Sequence, residues 1–138
     1  MSHAVLIVDD NLYIRKELRE LFGREDDFNV CGEAENGMQA VEKAQRLHPE
    51  LIVLDFSMPV MNGMAAARIL KRVMPEVPVI MYSAYDEPPA EQEARSAGVW
   101  AWVSKSENIS VLLDRARCAL GPQELLEFQS LSVNDHRS

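Results

Sequence analysis

The chain is poor in several residue types, and each shortage removes a class of protein. Cys31 and Cys118 are its two cysteines in 138 residues. They form no C-x-x-C pair and no metal-ligand spacing, so both read as packing residues in a reducing, cytoplasmic compartment. The three histidines, His3, His48 and His136, are scattered and indicate neither a metal site nor a catalytic dyad. Fourteen Lys and Arg face 22 Asp and Glu, a net charge of −8, which argues against unaided binding to nucleic acid or to an anionic membrane. No apolar run approaches the roughly 18 residues of a membrane helix, and Ala4 to Val8 is too short for the apolar part of a signal peptide. Repeats and low-complexity segments are absent as well. What remains, 47% hydrophobic and 26% charged residues, is ordinary for one globular domain with a real core.

The most informative stretch is Leu51-Ile52-Val53-Leu54-Asp55-Phe56-Ser57-Met58-Pro59. Four apolar residues run straight into a carboxylate and then into a turn, as expected of a strand buried on both faces in a parallel sheet. Asp55 then sits at the C-terminal edge of that sheet, where open α/β folds place their ligands. Ala4 to Val8 repeats the pattern and ends in Asp9 and Asp10.

Taken in order, Ile14, Leu18, Leu21 and Phe22 form one face of an amphipathic helix that stops near Gly23. Phe28 to Ala34 alternates, with Phe28, Val30 and Ala34 against Asn29 and Glu33, and reads as a half-exposed edge strand. Asn36-Gly37 opens a second helix that buries Ala40, Val41, Ala44 and Leu47 and closes at His48-Pro49. After the central strand, Met61-Asn62-Gly63 leads into a third helix with Ala66, Ile69, Leu70 and Val73 inward, ended by Pro75. Val77 to Tyr82 is a fourth strand finishing at Ser83, and 84–89 is a loop. Ala90 to Ala97 offers only alanines as a packing face and should be the least firmly docked helix. Val99 to Val103 is a fifth strand followed by Lys105, and a last helix from about Glu107 buries Ile109, Leu112, Leu113, Ala116 and Leu120. Strands alternating with helices imply a parallel sheet with right-handed crossovers and helices on both faces. The chain divides into a domain over 1–121 and a loosely ordered tail or linker over 122–138.

These strand ends bring Asp9, Asp10, Asp55, Ser83 and Lys105 to one edge. Three clustered carboxylates repel by roughly 4 kcal/mol per close pair at an effective dielectric near 20, so the cluster calls for a cation. Magnesium suits it, since it is held by one or two carboxylates and completes its shell with water and phosphate oxygens. A carboxylate in such a pocket can attack phosphorus to give an acyl phosphate. Lys105 and the Ser83 hydroxyl could then meet phosphoryl oxygens.

This set, Asp9-Asp10, Asp55 with Met58-Pro59-x-Met61-Asn62-Gly63, Ser83-Ala84 and Lys105, resembles the receiver domain of two-component response regulators over residues 4 to about 120. The resemblance implies a flavodoxin-like sheet in the order 2-1-3-4-5. It implies that Asp55 takes a phosphoryl group from a sensor histidine kinase or phosphotransfer protein, and that Asp10, Asp55 and the backbone carbonyl of Ser57 bind magnesium, with Asp9 acting through water. Ser83 and Lys105 would sense the phosphoryl group. Trp102 falls at the aromatic switch position, and the surface of the fourth helix, fifth strand and fifth helix would change for partner binding or for dimerisation. Ser83 stands where threonine is commoner and Asn62 where aspartate is, both keeping the chemistry. Ser106 stands in place of a frequent proline, so no cis peptide is expected there. Trp100 shares a strand face with Trp102 by period-2 spacing and is a candidate interface residue.

Such a receiver acts as a signalling switch, alone or as the regulatory part of a longer transcription factor. The alternative is a magnesium-dependent phosphohydrolase with an aspartate nucleophile, but the haloacid-dehalogenase pattern wants D-x-D, and the chain has Asp9-Asp10-Asn11 and Asp55-Phe56-Ser57. A flavodoxin-like electron carrier would need a hydroxyl- and glycine-rich phosphate loop after the first strand, where these acids would repel phosphate.

Overall fold

The computed structural model describes residues 2–84 and 88–121, so the expected tail over 122–138 and part of the loop after Ser83 lie outside the described residues. The strands are β1 (His3–Val8), β2 (Phe28–Ala34), β3 (Leu51–Asp55), β4 (Val79–Ser83) and β5 (Ala101–Ser104). Each is followed by a helix: α1 (Leu12–Gly23), α2 (Gly37–Leu47), α3 (Gly63–Val73), α4 (Pro88–Ser96) and α5 (Ser110–Ala119). All neighbouring strands pair in parallel, in the order β2-β1-β3-β4-β5. This is the flavodoxin-like arrangement expected from the sequence.

Continuous apolar strands fit because both faces are covered. Leu6, Val8, Ile52, Leu54 and Met81 pack with the alanine-rich inner sides of α2, α3 and α4. Val5, Ile7, Leu51, Val53, Ile80 and Val103 pack on the other face with Leu18 and Phe22 of α1 and Leu112 and Ala116 of α5. Period-2 alternation thus sends successive residues of one strand into two different cores. Ala40, Ala44, Ala66 and Ala94 are fully buried, and their small side chains let the helices approach the sheet closely.

Three of the helices that start at the carboxyl edge are opened by asparagine. The Asn11 side chain accepts from the amides of Tyr13 and Ile14, Asn36 from Gln39, and Asn62 from Ala65. Each cap satisfies backbone donors that a helix start otherwise leaves bare, worth about 1 kcal/mol apiece. Turns from strand to helix can therefore be short, which keeps the polar residues after each strand at the rim.

Several local expectations change. In β2 the partner of Val5 is Val30 but that of Leu6 is Gly32, so Cys31 is an extra residue in the ladder. This bulge reverses the alternation: Phe28 and Val30 pack on the α1 side, whereas Cys31 and Ala34 pack on the α2 side. On α3 the buried set is Met64, Ala66, Ala67 and Leu70, and it continues to Met74 just after the helix, while Val73 is turned to solvent. Cys118 is exposed and not a packing residue, because α5 turns it away from the Leu112 and Ala116 side. That helix also begins later than expected. Glu107 is engaged in a turn with Ser104, and the Asn108 carboxamide accepts from the Ser110 amide. Among the described residues no helix is long and apolar enough to cross a membrane.

The position of the α3 face can be checked by substitution. Leu70→Ala is expected to cost about 2–5 kcal/mol in urea unfolding and Val73→Ala under about 0.5 kcal/mol.

Candidate functional site

Asp9 follows β1 directly, Asp55 is the last residue of β3, and Ser83 is the last residue of β4. Asp9 is 1% exposed, Asp55 5% and Ser83 fully buried. Asp10 is exposed beside them. One carboxylate oxygen from each of Asp9, Asp10 and Asp55 lies within 4.8 Å of the others, a spacing at which paired negative charges repel by about 3–4 kcal/mol at an effective dielectric near 20.

Lys105 answers that repulsion. Its Nζ donates to Asp9 Oδ2 at 2.8 Å and to Asp55 Oδ1 at 3.1 Å. The Lys105 amide donates to the Ser83 carbonyl at 2.7 Å, so the backbone that carries the amine is tied to the end of β4. Burial works against the ammonium charge, but the hydrogen bond to Asp9 and the charges of Asp55 and Asp9 outweigh it and raise the Lys105 pKa above its ordinary value. The same ammonium lies 5.7 Å from the centre of the Tyr82 ring. Asp9 is held further by the Asn11 amide, which donates to its Oδ1 at 2.9 Å.

Asp55 is pushed the other way. Burial, then the negative charge of Asp9, raise its pKa from 3.8 to about 6, with Lys105 opposing. The carboxylate is thus held in a place that penalises its charge, a state that favours either a bound cation or reaction. All three donors are hard oxygens, which fits magnesium or a similar divalent ion, and Lys105 now takes the positive role there. Ser57, whose carbonyl is the expected further ligand, is exposed in the loop just beyond Asp55.

That loop is tightly specified. The Gly63 amide donates to the Phe56 carbonyl at 2.8 Å, and a Cβ at Gly63 would lie 2.1 Å from the Asp55 carbonyl, so no larger residue fits without moving Asp55. Val60 has φ 68° and stands 75% exposed between the Pro59 carbonyl and the Met61 amide, which bond at 2.7 Å. This is a γ-turn in the left-handed region, a conformation that a β-branched residue resists. The Met61 carbonyl in turn accepts from the Gly37 amide at 3.0 Å, docking the loop on the start of α2.

Trp102 is 8% exposed and its ring lies 5.5 Å from that of Phe56, the residue after Asp55. Trp100 precedes β5 and is 42% exposed. Both indoles line a cleft of about 520 Å³ between α4 and α5, with Arg95 and Arg115 beside them and none of the acid cluster in its wall. The Lys105–Ser106 peptide is trans, like every bond among the described residues. The sequence pattern includes Gly63 in the Met58–Gly63 motif but does not show its close approach to Asp55, and it gives no role to Phe56 or Arg15. Arg15 lies on the inner side of α1, where its Nη1 donates to the Asp9 carbonyl at 2.7 Å.

The raised Asp55 pKa carries a stability consequence. The folded carboxyl keeps its proton up to about 6 while the unfolded one releases it near 3.8, so the fold binds more protons in that window and loses stability as pH rises through it. Asp55→Asn is expected to stabilise the metal-free protein at pH 7 by about 1–3 kcal/mol. Thermal melts from pH 4 to 7 should show the advantage shrinking toward pH 4, and magnesium should shrink it at pH 7 by stabilising the parent.

Comparison with known proteins agrees with this geometry. The family profile for the response regulator receiver domain matches residues 5–117. A protein-glutamate methylesterase/protein-glutamine glutaminase of Pyrococcus abyssi is 42% identical over 87 residues, covering 63% of this chain and 23% of that protein. The chain spans about a quarter to a third of the length of the curated relatives it matches. The response regulator domain of Thermotoga maritima CheB superposes with a TM-score of 0.81 at 29% identity, covering 87% of this chain and 97% of that one. CheY from Borrelia burgdorferi, in its complex with CheX, BeF3 and magnesium, gives a TM-score of 0.78 at 27% identity over 83% and 86% of the two chains. The fold, the arrangement of its carboxyl edge and the match over most of its length make this chain a member of the response regulator receiver family, a signalling switch of two-component systems.

Proposed function

We propose that Asp55 is the phosphoacceptor of this receiver and that its donor is a phosphohistidine on a sensor kinase or phosphotransfer protein. The observation that carries the reading is the Lys105 amine bridging Asp9 and Asp55, beside the exposed Asp10, in a pocket that disfavours the Asp55 charge. An Asp55 carboxylate oxygen attacks the phosphorus, the P–N bond breaks, and the imidazole leaves with the electron pair and a proton from solvent. The product is an acyl phosphate. Asp10, Asp55 and the Ser57 carbonyl would hold magnesium, which when bound screens the phosphoryl charge and aligns its oxygens. A role for Asp9 through water is supported by its direct partners, since Oδ1 takes the Asn11 amide and Oδ2 takes Lys105.

Lys105 shifts from the carboxylates to a phosphoryl oxygen as the negative charge moves outward. Ser83, buried at the end of β4, supplies a hydroxyl to another. A hydrogen bond to a charged group is worth roughly 1.5–3 kcal/mol, enough to shift a two-state population ten- to a hundredfold. Movement of the Asp55–Phe56 backbone reaches Trp102 through the ring contact and changes the cleft face formed by α4, β5 and α5, where Trp100 meets a partner protein or a second copy. The methylesterase relatives carry a much longer chain, and this favours a receiver that governs an attached or separate output over one that acts by its own catalysis.

With acetyl phosphate and magnesium, intact-mass analysis is expected to show one phosphoryl group per chain, none in Asp55→Asn and none after chelation. A generic phosphomonoester should not be turned over repeatedly; sustained turnover would favour the phosphohydrolase. In Trp100→Phe protein, indole emission should change on phosphorylation, and the change should vanish when Asp55→Asn is added.

A further inference from the structure

Arg15 is the one buried charged side chain that a helix contributes among the described residues; the other buried polar groups, Asp9, Asp55, Ser83 and Ser104, all lie at the ends of strands. It sits on the same side of α1 as Leu18, Leu21 and Phe22. A guanidinium there is tolerated only if it is hydrogen-bonded and paired, and it is both. Nε donates to Glu33 Oε1 at 3.2 Å, Nη1 donates to the Asp9 carbonyl at 2.7 Å, and Nη2 stands 3.7 Å from Glu35 Oε1. Glu33 is itself fixed by Arg19 Nη1 at 2.6 Å. The guanidinium is therefore braced from β2 and presses its donor on the carbonyl between Asp9 and Asp10.

We propose that Arg15 is a positioning residue for the acid cluster, setting the orientation of the Asp9–Asp10 peptide so that both carboxylates meet Asp55; this rests on the reading of Asp55 as a magnesium-dependent phosphoacceptor. A trans peptide is planar, with C=O and N–H on opposite sides. Holding the Asp9 carbonyl toward α1 turns the Asp10 amide the other way and fixes where the Asp10 Cα leaves the strand. Among the described residues the Asp10 side chain makes no hydrogen bond or ion pair, and it is exposed, so its place beside Asp9 and Asp55 depends on this backbone. Without the brace, mutual repulsion would drive the acids apart.

The sign of the effect separates positioning from charge alone. Removing a nearby positive charge would tighten divalent-cation binding by simple attraction; losing the brace would weaken it. The test uses the full chain, with Arg15→Met, which keeps the stem, and Glu33→Gln, which loosens the brace from outside the helix. Magnesium affinity is measured by titration calorimetry, and the magnesium dependence of acetyl phosphate labelling by intact mass, both well below each variant's melting temperature. Arg15→Met is expected to weaken magnesium binding roughly tenfold, as outer-shell substitutions commonly do, and Glu33→Gln about threefold. The labelling rate at saturating magnesium should stay within about twofold of the parent in both, a split between half-saturation and maximal rate that lost stability alone does not produce. In the metal-free protein, amide exchange at Asp10 and Asn11 should speed up in both variants. Unchanged or tighter magnesium binding in the folded variants overturns the proposal while leaving Asp55 untouched. If Arg15→Met does not fold, Glu33→Gln decides alone. Failure of the parent to bind magnesium or to be labelled would instead overturn the phosphoacceptor reading, and this inference with it.

Discussion

One ammonium group between two carboxylates organises the upper edge of this molecule. Asp9 and Asp55 arrive from adjacent strands, and nothing in a parallel ladder relieves their repulsion. The amine of Lys105 crosses from the far edge strand to lie on both. It spans β4 and β3, which the sheet order sets between β5 and β1, from a backbone whose amide is fastened to the Ser83 carbonyl. The compensation is partial. Asp55 stays less acidic than an ordinary carboxyl, so the fold gives up stability to hold this carboxylate at the rim.

The core explains why this edge is so regular. Because β1, β3 and β4 are apolar on both faces, their length is set by burial, and the first polar residue after each run is pushed to the boundary with solvent. Asparagine caps then turn the chain back within a few residues. The acid cluster thus follows from how the strands end, and the loops add detail to it.

Much of this was legible in the sequence, and the reason is local. An apolar run that ends in Asp or Ser, or within a residue of Lys, reports both a buried strand and what stands at its exit, so the sequence alone gathers Asp9, Asp55, Ser83 and Lys105 at one edge. What stayed hidden needed two elements to meet. Arg15 reads as one more polar residue next to Ile14 until the Asp9 carbonyl and Glu33 converge on it. The extra residue at Cys31 leaves no mark in a pattern where Phe28, Val30 and Ala34 already look evenly spaced. Val73 fits the apolar face of α3 by period, but the inner stripe runs through Leu70 to Met74 and leaves Val73 outside it. Phe56 looked like the first residue of a turn, and only the approach of β5 turns it into the neighbour of Trp102.

Val60 has a wider meaning for the rim. A valine does not choose a left-handed backbone by itself, so the shape of its turn is imposed from outside, by the Met61 carbonyl fastened to the start of α2 and by Gly63 closing on Phe56. The segment that follows Asp55 is therefore a borrowed conformation. Its template is the second helix, on the opposite flank of the domain from the tryptophan cleft, and any molecule that pried that helix's first turn loose would let the backbone beyond Asp55 relax without touching a single acid.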